Sequence, residues 1–299
     1  KEKYNYKWFP VVNGGEFRKW YGNNIAVLNW ENDGRLIKSY HEDGKINATL
    51  RNLQYFFVNS LTYTYTSMGS GKFNVRYIGE GFTSLGVGPI ITLQDKIGIL
   101  GYLNSKVFSY LFTVLFGKTS TFETGSVGYV PYINKFPNTV NEITQKCINL
   151  CKTDWDAFEI SWGFKTHPLI QHRNDNNLLK QAFLSWSDYT LRQYIQLKQN
   201  EEELNRIFID IYGLQDELTP DIDDKYVTIS KADRERDIKS FISYAGGCMF
   251  GRYSLDEEGL VYAGGEFDIN RYKTFIPTRD NILVIADDDY FEDDMVSRF

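Results

Sequence analysis

Several groups of residues in this 299-residue chain have the types that chemistry uses. Arg18, Lys19 and Trp20 stand side by side, two cations next to a large ring. Such a cluster can clamp a phosphate beside a stacking surface; it can equally be a strand whose Trp20 packs inward. Glu201, Glu202 and Glu203 are three adjacent carboxylates, the type needed for metal binding or acid–base work. Three consecutive residues of a helix point three ways, so the run reads as a solvated face. Cys147 and Cys151 are four apart, half of a metal site by spacing. The histidines His41, His167 and His172 complete no zinc pattern, and the thiols read as packing residues. Gly79 and Gly81 begin a dinucleotide fingerprint, but Ser84 stands where the third glycine belongs and Pro89 where the helix would run. The turn at residues 67–72 carries Lys72 without the Walker spacing. Asp221, Asp223 and Asp224 lack the glycine and terminal glutamate of a calcium loop. No Gly-x-Ser-x-Gly, no paired-histidine motif and no Pro-Pro pair occurs anywhere.

Binding is therefore more legible than catalysis. The formal net charge of -6 argues against a polyanion partner, but the charge is unevenly spread. Residues 1–138 hold 15 Lys and Arg against 9 Asp and Glu, a balance of +6. Residues 139–299 hold 18 against 30, a balance of -12. The basic half suits a polyanion and the acidic half another protein; both also read as ordinary solvated surfaces. With 42% hydrophobic and 16% aromatic residues the chain has enough for a packed core. No apolar run is long enough to span a membrane. The first ten residues lack the apolar core of a secretory signal, and the first residue is Lys1 and not methionine, as in a piece of a longer protein. Three cysteines are too few for a disulfide framework and fit a reducing compartment.

The elements that must position these residues follow from periodicity. Residues 25–33 read as a strand ending in the turn Asn32-Asp33-Gly34, and Glu42-Asp43-Gly44 marks another turn. Residues 53–66 are strand-like, with Leu61, Tyr63 and Tyr65 alternating with Thr62, Thr64 and Thr66. That gives one aromatic face and one hydroxylic face. Residues 97–116 have helical apolar spacing, around Leu103-Asn104-Ser105-Lys106. Residues 122–133 read as loop and strand. Beyond Asn138 the pattern turns helical, at 139–152, 178–211 and 231–250, before a loop-rich acidic tail. The expected fold is α+β: a mixed α/β domain over 1–138, then a mainly helical domain over 139–299.

Five segments carry a resemblance. LGYLNSKVFSYLF, from Leu100, and STFETGSVGYVPYI, from Ser120, are similar to the recognition regions of type IIG restriction–modification enzymes. Those have a Leu-Asn-Ser-Lys helix followed by a Pro-Ile-like strand; here Tyr132 separates Pro131 from Ile133. EEELNRIFIDIYGLQDELTP, from Glu201, ISYAGGCMFGRYSLDEEGLVYAGG, from Ile242, and the terminal DDDYFEDDMVSRF resemble the adenine-specific DNA methyltransferases of the bacterial BREX phage-defence system. The resemblance covers the whole chain. It implies a cytoplasmic, site-specific, S-adenosylmethionine-dependent enzyme that flips its target adenine. The family's catalytic domain holds that base with an Asn/Asp-Pro-Pro-Tyr/Phe tetrapeptide, which a chain without Pro-Pro cannot contain. So the resemblance implies a C-terminal fragment, inactive alone and with no cofactor site of its own: a DNA target-recognition domain at 1–138, and a C-terminal part facing the missing N-terminal methyltransferase domain or other BREX proteins. The expected partner is double-stranded DNA, with no membrane partner. The expected DNA contacts are Arg18, Lys19, Lys38, Thr64, Lys72, Arg76, Ser84 and Lys118, basic and hydroxyl side chains suited to phosphates and base edges. The competing expectation is a protein-interaction module working through its acidic half.

Overall fold

The computed structural model describes residues 6–39, 41–42, 45–46, 50, 52–66, 72–84, 86, 88–133, 135–174, 178–278, 280–285 and 295. The strands are β1 (Trp8–Val12), β2 (Ala26–Asn29), β3 (His41–Glu42), β4 (Lys45–Ile46), β5 (Ser60–Tyr63), β6 (Val75–Ile78), β7 (Thr83–Ser84) and β8 (Ile90–Ile91). The helices are α1 (Glu31–Lys38), α2 (Lys96–Leu103), α3 (Lys106–Phe116), α4 (Thr124–Tyr129), α5 (Asn138–Asp156), α6 (Pro168–Gln171), α7 (Leu179–Tyr212) and α8 (Arg234–Met249). The fold is mixed α/β, followed by helix-rich stretches. Contacts group the chain into two compact units, Lys1–Thr153 with Tyr194–Ile229 and Asp154–Gln193 with Ser230–Phe299. No single cut at residue 138 reproduces this grouping, because residues 194–229 return to the first unit. Their acidic residues change the charge picture. The first unit holds 20 Lys and Arg against 19 Asp and Glu, a balance of +1, and the second 13 against 20, a balance of -7.

In the first unit β1 lies between β2, antiparallel, and β7, parallel. A second sheet has the order β6-β5-β8, all antiparallel. β3 pairs antiparallel with β4; the Asp-Gly pair of the second turn signal, residues 43–44, lies outside the described residues. At the first, Asn32, Asp33 and Gly34 take φ of 52°, 59° and 70° in succession. Asn and Asp tolerate that left-handed region. At residue 34 only glycine fits, because a Cβ would come within 2.8 Å of the Trp30 ring.

The segment 53–66 is less extended than its composition suggests. Asn52 and Phe57 have positive φ and break the strand, leaving a single 3-10 turn at Leu53–Tyr55 before β5. The break lets Phe56 and Phe57 pack on Trp30 and Phe9, each at ring distances of 5.2 Å. Tertiary packing here outweighs strand propensity. Nor is β5 two-faced: Leu61, Thr62, Tyr63 and the following Thr64 are all buried.

The single helix expected over 97–116 is two helices meeting at a 65° bend. Ser105 ends one turn and starts the next: its hydroxyl donates to Tyr102 O at 2.6 Å and caps α3 by accepting from Phe108 N at 3.2 Å. Asn104 is clamped to β6, accepting from Val75 N and donating to Val75 O, both at 2.9 Å. Lys106 N donates to Asn205 Oδ1 of α7 at 2.9 Å. The Leu-Asn-Ser-Lys segment is thus a joint tying two helices to a strand. Among the described residues no single helix is long and apolar enough to cross a membrane; α2 and α3 reach that composition only across their bend. Over 122–133, where loop and strand are expected, the structure has α4 and an irregular segment with no strand among the described residues; the segment is fixed where Tyr102 and Tyr212 hydroxyls both donate to Pro131 O, at 2.6 and 3.1 Å.

α5 buries Val140, Thr144, Cys147, Ile148 and Cys151, so both thiols sit in the core. Burial pushes the Cys147 thiol well up from its usual range. α5 comes close to α2 over small residues: a Cβ on Gly101 would lie 2.5 Å from Thr144 Oγ1.

The second unit packs Leu169, Ala182 and Trp186 against Ile238 and Phe241. A further cluster joins Phe164, Tyr244, Cys248 and Tyr253. Within α8, residue 247 must be glycine, because a Cβ there would lie 2.6 Å from the Tyr253 ring. His167 is buried and caps α6, its Nδ1 accepting from Leu169 N at 3.2 Å while Nε2 meets Ser240 Oγ at 3.2 Å. Burial lowers its pKa to about 4. The folded state therefore resists a proton that the unfolded chain takes up below about 6.5, and the stability this group permits is full above 6.5 and declines as pH falls toward 4. We expect urea unfolding of the chain to show about 2 kcal/mol less stability at pH 5 than at pH 7 from this group. His167→Asn, which keeps a cap acceptor, removes that part of the decline.

Candidate nucleic-acid interface

The structure places three of the eight expected contact residues, Lys19, Thr64 and Arg76, in the interior, with Arg18 half-buried beside them. Arg76 lies on β6 and is only 1% exposed. Its Nη1 donates to Asn74 Oδ1 at 2.9 Å, Thr64 Oγ1 at 3.1 Å and Arg18 O at 3.3 Å. Its Nη2 donates to Gly14 O at 2.9 Å and Asn13 O at 3.4 Å. Burial, with Arg18 nearby, pushes the guanidinium down to about 9, still charged at neutral pH. Thr64 is 3% exposed, and its hydroxyl lies 3.1 Å from both Gly14 O and Asn74 Oδ1. Arg76 thus fixes the turn at residues 13–14 to the end of β5.

Lys19 is buried too. Its ammonium pairs with Glu201 of α7, whose other oxygen accepts from Trp20 Nε1 at 2.6 Å. Trp20 also extends the sheet beside β6, donating to Val75 O at 2.9 Å and accepting from Tyr77 N at 2.8 Å. The cation–aromatic cluster of the sequence faces the core, and the glutamate run is only partly a solvated face. Glu203 pairs with Arg206 at the surface and Glu202 accepts from Ile222 N at 3.1 Å, but Glu201 is 2% exposed. Arg18 is half-buried, its Nε donating to Tyr21 O at 2.8 Å. These side chains hold β6 and the N-terminal segment in place; in this arrangement Lys19, Thr64 and Arg76 have no surface to offer a ligand.

The remaining residues lie nearer the surface. Ser84 donates to Gly88 O at 2.7 Å, closing the turn between β7 and β8. Lys38 pairs with Asp33 at 2.6 Å over the Trp30 ring. Lys72 and Lys118 are exposed and line one groove of about 470 Å³ in the first unit. Its hydroxyl groups come from Ser109 and Thr113 on α3 and from Thr119 and Ser120; Phe73, Phe112 and Phe122 form an aromatic wall. An adjoining hollow of about 410 Å³ shares Lys72, Ser109 and Thr113 and reaches Lys106, Asp221, Asp223 and Tyr226. Lys72 Nζ sits 3.4 Å from the centre of the Tyr226 ring. The carboxylates repel an anion from that hollow, so the Lys72–Lys118 end is the one suited to phosphate. Lys106 and the α3 hydroxyls escaped sequence reasoning. The signal for them was present, polar residues every three or four places on an otherwise apolar helix.

Gly79 and Gly81 connect β6 to β7, strand to strand, whereas a nucleotide or S-adenosylmethionine loop leads from strand to helix. These residues do not fit that group.

No family model matches the chain. It is 42% identical over 302 residues to the adenine-specific methyltransferase PglX of Lacticaseibacillus casei (strain Zhang), covering 98% of this chain and 25% of that protein. It is 33% identical over 323 residues to the adenine-specific methyltransferase BrxX of Escherichia coli O9:H4 (strain HS), covering 99% and 26%. Over almost its whole length the chain matches methyltransferases of the PglX and BrxX type. It spans about a quarter of the length of these curated relatives.

Proposed function

We propose that this chain is the DNA target-recognition part of a site-specific adenine-N6 DNA methyltransferase of the BREX phage-defence type. The S-adenosylmethionine site and the chemistry belong to a part outside it. The observation that most supports this is the match along 98% of the chain to a quarter of a PglX protein, in a sequence with no Pro-Pro pair. Its partners are double-stranded DNA, the methyltransferase domain of the same protein and other BREX components.

Within this reading Lys72 and Lys118 meet the DNA backbone, supported by the hydroxyls of Ser109 and Thr113. Phosphate contacts position a protein on the duplex without reading sequence. The buried Arg76–Thr64 and Lys19–Glu201 networks hold rigid the strand that follows Lys72. We expect the Lys72→Ala/Lys118→Ala double variant of the full-length protein to bind duplex DNA about tenfold more weakly, and to reduce the slope of log K against log salt by about 2. Equal binding and an unchanged slope would remove this groove from the interface. The balance of -7 on the second unit favours a second reading, an assembly surface for a basic partner protein. A full-length protein whose site-specific DNA binding survives deletion of this chain would favour that reading.

A further inference from the structure

At the other end of α2 lies a cleft of about 710 Å³, beside α5. Five of its eleven lining residues are carboxamides: Asn59, Gln94, Asn141, Gln145 and Asn149. Asn and Gln make up 31 of the 299 residues, so the cleft concentrates them several-fold. Asn141, Gln145 and Asn149 recur every fourth residue and share one face of a 19-residue helix. Gln145 Nε2 donates to Asn149 Oδ1 at 2.9 Å, and both residues are exposed. Across the cleft Asn59 Nδ2 donates to the Tyr77 hydroxyl at 2.9 Å. The buried carboxamide oxygens of Asn59 and Asn141 have no hydrogen-bond partner, so part of this amide set is unspent.

We infer that this cleft reads base edges, with Gln145 and Asn149 as specificity-determining residues; the inference rests on the target-recognition reading above. A carboxamide carries a donor and an acceptor at the spacing of adenine N7 and N6, and Asn and Gln are the side chains that recognise adenine in the major groove. A neighbouring carboxylate, Glu142, suits the cytosine amino group, and Lys146 suits guanine or a flanking phosphate. The division of labour is chemical. The lysine groove attracts any duplex, whereas uncharged amides add little to non-specific attraction and discriminate by hydrogen bonding.

The test uses the full-length protein. Its site is first mapped by sequencing methylated adenines in cells. Binding is then measured to a duplex with that site and to one with the site scrambled. Gln145→Ala and Asn149→Ala are each expected to weaken binding to the site about ten- to a hundredfold, leaving the scrambled duplex and the salt slope unchanged. Gln145→Glu, which replaces the donor by an acceptor, is expected to shift one read position of the target sequence from adenine toward cytosine, while the methylated base stays adenine. That change of specificity cannot arise from unfolding. The inference is overturned if the three variants keep the wild-type site and affinity, or weaken both duplexes equally. If the amide variants change nothing while Lys72→Ala/Lys118→Ala weakens both duplexes, recognition stands and the reading surface lies elsewhere. If neither set alters binding to either duplex, the recognition reading itself fails.

Discussion

Glu201→Ala is expected to lower the stability of the 299-residue chain by about 3–5 kcal/mol in urea unfolding. The substitution leaves the Lys19 ammonium, 6% exposed at its side chain, without a counter-charge and deprives the Trp20 indole N–H of its acceptor at 2.6 Å. A buried charge with no partner carries its full desolvation penalty, which is why breaking such a pair costs more than the pair contributes. The control follows from the same principle. Lys19→Met combined with Glu201→Leu removes both charges and fills similar volume, so it should recover most of the loss. A double variant as unstable as Glu201→Ala would mean that the ion pair itself, and not the orphaned cation, sets the cost. The measurement also separates two readings of Lys19. A DNA-contacting lysine would lower affinity at unchanged stability.

Arg76→Ala comes next, with an expected loss of about 2–4 kcal/mol. The guanidinium is the common donor for the Gly14 carbonyl at 2.9 Å and the Asn74 carboxamide at 2.9 Å, with Thr64 Oγ1 at 3.1 Å. Its removal leaves these acceptors buried and opens a cavity in a region that is otherwise closed. Arg76→Lys should be little better than alanine, because an ammonium is a point donor and cannot span the fork that two guanidinium nitrogens occupy. Thermal melting monitored by near-ultraviolet circular dichroism checks both. Variants that melt normally but bind duplex DNA more weakly would place Arg76 at the interface, against its burial.

Much of the architecture was legible along the chain. α5, α7 and α8 follow from apolar residues at helical spacing, and their observed ends lie within a few residues of those expected. Asn32-Asp33-Gly34 marks a real left-handed turn because only such residues tolerate positive φ. The Leu-Asn-Ser-Lys segment was visible as a helix but not as a joint. Its Asn104 bonds to Val75, and nothing local to residues 103–106 announces a partner on a strand 29 residues earlier. The strand expected over 122–133 failed for a related reason. A β-rich composition becomes a strand only where a neighbouring edge is free to pair, and among the described residues Thr121 meets Thr66 in a single isolated bridge.

The candidate interface divides the same way. Lys72 and Lys118 were picked from the sequence as basic side chains suited to phosphates, and both line the groove. Lys19, Thr64 and Arg76 were picked as basic or hydroxyl side chains on the same grounds and lie inside. The sequence by itself determined side-chain chemistry, helical periodicity, turn positions, the missing Pro-Pro pair and the kinship with PglX and BrxX, because each is a property of residues close together in the chain. Only the tertiary structure decided which charges meet water. Burial of Lys19 depends on Glu201, 182 residues away, and burial of Arg76 on the turn at Gly14, 62 residues away. A charge can be held in the interior only where a distant segment supplies its partner, and no local pattern encodes that meeting.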